Sequence, residues 1–98
     1  MAYTIEYTAS AEDDIVYFRK YEQVLIVDAI DDQLSHEPHL ETRNRKELDP
    51  NPLGAWELRI GRYRVFYDVD VVSRSVLVKA VGWKEHNTLY IRGKAYIL

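Results

Sequence analysis

Trp56-Glu57-Leu58-Arg59-Ile60-Gly61-Arg62-Tyr63-Arg64-Val65-Phe66-Tyr67-Asp68-Val69 is the stretch that decides the fold. Trp56, Leu58 and Ile60 alternate with Glu57 and Arg59, the period of a strand with one buried face. Gly61-Arg62 reads as a two-residue turn with glycine first, the type II′ signature. Tyr63, Val65, Tyr67 and Val69 continue the alternation on a second strand. If Gly61 and Arg62 form the loop, Ile60 pairs with Tyr63, Arg59 with Arg64, Leu58 with Val65, Glu57 with Phe66 and Trp56 with Tyr67. Leu58, Ile60, Tyr63 and Val65 then share a core face, while Arg59 and Arg64 share the other. A one-residue slip would separate the two arginines.

Upstream, residues 37–54 show no period and end in Asp49-Pro50-Asn51-Pro52-Leu53-Gly54, which is turn chemistry. So long a connector is a candidate functional loop, and it carries Arg43, Arg45 and Lys46. Before it, Ile26, Val27, Ile30 and Leu34 mark the apolar stripe of a helix from about Glu22 to Ser35, stopped by Pro38. A preceding helix has Ser10 as expected N-cap, Glu12, Asp13 and Asp14 in its first turn, and Ala11, Ile15 and Phe18 at helical spacing. Tyr3, Ile5 and Tyr7 alternate as a first strand. Downstream, Val71 to Ser75 turns the chain and Val76 to Trp83 is a strongly apolar, central strand. The tail from Lys84 to Leu98 is mixed. The expected architecture is α+β, in the order β-α-α-β-β-β, a single domain over residues 1–98 with a helical hairpin on one face of an antiparallel sheet.

Composition narrows the chemistry. The 98 residues include no cysteine, which excludes disulfides, zinc–thiolate sites and a cysteine nucleophile. His36, His39 and His86 lack metal-ligand spacing, and no phosphate-cradling glycine motif is present, so no metal or cofactor is expected. No apolar run is long enough to span a bilayer, and the N-terminus has no signal-like pattern, so a cytoplasmic protein without membrane contact is expected. The net charge of −3 is unevenly spread: residues 1–37 hold nine acids and two bases, and residues 38–98 hold seven acids and eleven bases. A basic face on an acidic protein is one reading, and a merely solvated acidic helical surface is the other.

Two arginines directly opposite one another are unfavourable in a sheet unless something anionic offsets them. Their planar forks suit phosphate. The bland alternative is a surface ion pair between Glu57 and Arg64, which lies diagonal to it. With Lys84 after the last strand, and Tyr90 and Arg92 beyond, the chain holds what cleavage of RNA by its own 2′-hydroxyl requires: charge stabilisation at phosphorus and groups that move protons.

The element order and the Trp56–Val69 run resemble the RelE/ParE toxin superfamily of bacterial type II toxin–antitoxin systems. Ile5-Glu6-Tyr7-Thr8, Thr42-Arg43-Asn44-Arg45-Lys46, Val81-Gly82-Trp83-Lys84 and Leu89-Tyr90-Ile91-Arg92-Gly93 extend the resemblance over essentially the whole chain. The resemblance implies a cognate protein antitoxin. It implies one of two activities: cleavage of mRNA on the ribosome, as in RelE-like members, or poisoning of DNA gyrase, as in ParE-like members. A non-toxic relative that persists as a complex or homodimer is a third outcome. On the RelE pattern, Arg64 would stabilise the transition-state phosphate, Lys84 would be general acid or charge stabiliser, and Tyr90 would orient the substrate. Arg59 would bind phosphate, with further contacts from Arg62, Arg43, Arg45, Lys46 and Arg92. Glu57 falls where that pattern has a base; it departs from the pattern and is a candidate proton acceptor.

Overall fold

The computed structural model describes residues 2–97, so Met1 and Leu98, the two ends of the expected 1–98 domain, lie outside it. The chain runs β1 (Thr4–Tyr7), α1 (Ala9–Val16), α2 (Lys20–Leu34), β2 (Arg45–Glu47), β3 (Trp56–Ile60), β4 (Tyr63–Asp70), β5 (Ser75–Glu85), β6 (Thr88–Ile91) and β7 (Lys94–Tyr96). The strands form one sheet in the order β2-β3-β4-β5-β6-β7, with β1 parallel to β5. This is the expected α+β order with three short strands added, one inside the long loop and two in the tail. Among the described residues no helix is long and apolar enough to cross a membrane.

The β3–β4 hairpin has the register read from Gly61-Arg62: Trp56 pairs with Tyr67, Leu58 with Val65, Arg59 with Arg64 and Ile60 with Tyr63. Gly61 takes φ +56° and Arg62 stays at negative φ, as a type II′ turn requires. Leu58 and Val65 are fully buried against Ala11, Ile15 and Phe18 of the α1 segment and Ile26, Ile30 and Leu34 of α2. Each such side chain contributes roughly 1.5–3 kcal/mol. Trp56 stacks on Tyr67 with ring centroids 6.2 Å apart, closing one end of this core.

The first helix is capped differently from expectation. Thr8, not Ser10, is the N-cap: its backbone is extended (φ −71°, ψ 159°) and its hydroxyl accepts from the Ala11 N–H at 3.0 Å. Chain length explains the shift. β1 runs to Tyr7, and Thr8 still bonds Val78 O through its N–H, so the turn into the helix starts at once. At α2, Glu22 reaches back to accept from the Arg19 N–H at 3.3 Å.

β5 organises the sheet. One edge pairs with β4. The other is shared, with β1 along Ser75–Val78 and β6 along Trp83–Glu85. Between those partners the edge is served by side chains. The Thr8 hydroxyl donates to Lys79 O at 3.4 Å, and the carboxylate of Asp14 accepts from the Val81 N–H at 3.0 Å. Asp14 is only 1% exposed, and Arg92 meets its other oxygen at 2.8 Å. Burial raises the Asp14 pKa, and the Val81 N–H and Arg92 oppose that shift.

The face away from the helices is not simply solvated. Leu53, Phe66, Ala80 and Leu89 form a second small cluster there, with Leu48 and Ile91 at its edge. The loop before β3 reaches this cluster because Asn51 folds it: Oδ1 accepts from the N–H groups of Leu53 and Gly54, and Nδ2 donates to the carbonyls of Asp49 and Gly54. Gly54 lies so close that a Cβ there would sit 2.9 Å from the Tyr67 nitrogen.

Candidate functional site

Strand parity brings part of the expected site together. Arg59 and Arg64 are directly opposite on the face away from the helices, and Gly82 of β5 is opposite Arg64 in turn. Lys84, two residues on, has the same parity. Lys46 of β2 lies opposite Glu57. Arg59, Arg64, Glu57, Lys84 and Lys46 therefore share one sheet face. Gly82 carries the passage of the tail across this region: a Cβ there would lie 2.2 Å from the Tyr90 carbonyl oxygen and 3.0 Å from Ile91 Cγ1.

The two arginines differ in freedom. The Arg59 side chain is half exposed. Arg64 folds back over its own turn, its Nη1 donating to Gly61 O at 2.7 Å and Tyr63 O at 2.9 Å. Its Nε is buried and has no hydrogen-bond partner among the described residues. Burial lowers the Arg64 pKa, the Glu57 charge raises it and the Arg59 charge lowers it again. The expected Glu57–Arg64 surface pair takes another form. Glu57 is 5% exposed, and its ion pair runs to Arg59 Nε at 3.8 Å.

Four residues expected at the site are engaged elsewhere, each for a local reason. Tyr90 pairs with Trp83 across β5–β6, which fixes its ring on the helix side of the sheet. There Trp83 stacks between Tyr90 (5.5 Å) and Tyr17 (5.8 Å), with Phe18 edge-on. Arg45 pairs with Leu58 and so also points to the helix side, where its guanidinium donates to Gln33 O at 2.5 Å and His36 O at 3.3 Å, carbonyls freed by the end of α2. Arg62 turns to Glu22 at 3.2 Å and, more distantly, to Glu85 at 4.0 Å. Arg92 is held by Asp14. Arg43 is exposed in the loop before β2.

Two buried acids went unnoticed in the sequence. Asp14 looked like one more helix-dipole residue. Glu22 sits one turn before Ile26 on the buried stripe, and that spacing was the available signal. Its Oε2 accepts from the Tyr63 hydroxyl at 2.5 Å and from Arg62. The Tyr63 bond chiefly lowers the Glu22 pKa, against the cost of burial, with help from the Arg19 N–H and Arg62. Among the described residues no three His, Asp or Glu side chains come together to hold a metal.

The chain is similar to the toxin–antitoxin complex RelBE2 from Mycobacterium tuberculosis, at 26% identity over 86% of this chain and 93% of that chain, with a TM-score of 0.75. It shares its fold with the archaeal RelE–RelB complex from Pyrococcus horikoshii, at 17% identity over 88% of this chain and 99% of that one, with a TM-score of 0.68. No curated protein sequence matches. Residues 5–87 match the family described as the ParE toxin of type II toxin–antitoxin systems, and the chain belongs to that family.

Proposed function

We propose that this toxin acts by binding a protein target, as ParE-like toxins bind DNA gyrase, rather than by cutting RNA, and that a cognate protein antitoxin holds it in check. One observation carries the choice of activity. Tyr90, the substrate-orienting tyrosine on the RelE pattern, stands on the helix side of the sheet against Trp83, while Arg64 stands on the other. A phosphate held at Arg64 is then separated from the Tyr90 ring by the sheet itself. General acid–base work needs its groups within hydrogen-bond reach of one reacting centre. The antitoxin is supported by family membership and by the two solved relatives, both toxin–antitoxin complexes.

The RNA-cleaving alternative is favoured by Arg59, Arg64 and Lys84 sharing one face. Induced expression in a host lacking the antitoxin separates the two. Binding of gyrase predicts growth arrest with DNA damage, inhibition of supercoiling by the purified proteins, and intact transcripts. New mRNA ends inside translated codons, lost in Arg64→Ala, would overturn that reading in favour of cleavage. Restoration of growth on co-expression of the antitoxin tests the partner.

A further inference from the structure

The position of Glu57 deepens, and rests on, the reading that this toxin does not act on RNA. A carboxylate with 5% exposure is costly unless cations surround it. Here they do. Arg59 is two residues along the same strand with its Nε 3.8 Å away, Arg64 is diagonal across β3–β4, and Lys46 is directly opposite on β2. Arg59 holds the ion pair with this internal anion, while Arg64, its Nη1 turned to the Gly61 and Tyr63 carbonyls, meets it only through its charge. Arg64 in turn keeps a buried Nε that no group of the described chain satisfies. The seat has the cations a phosphodiester would require, and a carboxylate already stands among them.

We propose that Glu57 takes, within the chain, the place a phosphodiester would take at Arg59, beside Arg64, and so closes this face to RNA. Glu57 is then a specificity-determining residue. It offsets the arginine pair for folding, and it repels any strand whose phosphate approaches the same guanidinium groups. The remaining cations on the face, exposed Lys46 and half-buried Lys84, are too few to hold a strand by counterion release alone, because each phosphate contact adds only one step to that effect.

The test is binding of a short fluorescent single-stranded RNA, read by anisotropy at low salt, to the full chain and its variants. Glu57→Gln keeps the side-chain shape and removes the charge. It should bind RNA about tenfold tighter than wild type, the scale of removing one repelling charge a few ångströms from a phosphate in a partly solvated site. Its salt dependence should also steepen. Adding Arg64→Ala to Glu57→Gln should erase the gain. Glu57→Met, also uncharged and of similar length, should show the same gain if the amide packs poorly. In the wild-type protein, inorganic phosphate should leave the Arg64 Nε–H resonance unmoved, because the charge of Glu57 repels it. Unchanged RNA affinity in both variants, a gain that survives the loss of Arg64, or a phosphate-induced shift of that wild-type resonance would each overturn the role of Glu57. None of these results depends on whether the toxin's target is gyrase, so failure here and failure of the target assignment are distinguishable.

Discussion

Asp14→Ala is expected to be among the most damaging single changes in this chain, and the reason is the Val81 N–H rather than the charge. Asp14 fills the gap on the β5 edge between β1 and β6, accepting from Val81 at 3.0 Å while 1% exposed. Alanine leaves that buried donor without a partner, at a cost of about 1–3 kcal/mol. The lost contact with Arg92 adds less, about 1 kcal/mol at most, because the Arg92 side chain is 47% exposed and its charge is screened. The total, about 1–4 kcal/mol, should lower the melting temperature of a domain this size by on the order of 5–30 °C. Asp14→Asn separates the two contributions. It keeps an acceptor for Val81 and loses only the ion pair, so it should stay within about 1 kcal/mol of wild type. The pH dependence has a definite sign. Burial raises the folded-state pKa of Asp14, so the folded chain binds this proton more readily than the unfolded chain. Wild-type stability relative to Asp14→Asn should therefore fall as pH rises from the ordinary aspartate range through the raised value. Urea denaturation of the three proteins across pH measures all of this. If Asp14→Asn proved as destabilising as Asp14→Ala, the ion pair with Arg92 would be the dominant contact and the edge-capping argument would be wrong.

Glu22 should behave in the opposite sense. Its folded-state pKa is lowered, chiefly by the Tyr63 hydroxyl, so its contribution is complete above the ordinary glutamate value near about 4.3 and is lost as pH falls through the lowered one. Glu22→Gln should remove that acid-side loss from the urea midpoint profile, and Tyr63→Phe should shrink it. Gly82→Ala should displace β6, since its Cβ would meet the Tyr90 carbonyl at 2.2 Å. A cost of about 1–3 kcal/mol, with a red-shifted Trp83 emission as the Tyr90 stack opens, is expected, and an unshifted spectrum would contradict it. The β5–β6 turn places His86 at φ +52° and Asn87 at φ +65°, the conformation that Asn-Gly prefers. Replacing the pair by His86→Asn and Asn87→Gly should raise stability by about 0.5–1 kcal/mol in thermal melts, the relief of left-handed backbone strain less the entropic cost of glycine.

The β3–β4 hairpin was legible residue by residue because its determinants are local. Alternation over Trp56–Ile60 and a glycine able to take positive φ at 61 fix both the turn and the register, and the register decides that Arg59 and Arg64 face the same way. The stripe Ile26, Ile30, Leu34 likewise needed only helical spacing. What tertiary structure alone decided are pairings between segments far apart in the chain. Arg45, Arg62 and Arg92 look alike as basic residues near a basic strand. Yet each is committed to a different distant group: the end of α2, Glu22 of that helix, and Asp14 of α1. Tyr90 could be assigned a face only once β6 was paired with β5, because a strand's parity is set by its neighbour's register and not by its own four residues. From the sequence Asp14 reads as a first-turn dipole residue and Glu22 as the start of the second helix; they become buried caps only when β5 and Tyr63 are brought against them. Alternation and turn chemistry are short-range properties of the chain, whereas the partner of a long, flexible charged side chain is chosen by whichever unsatisfied group the folded sheet and helices present within its reach.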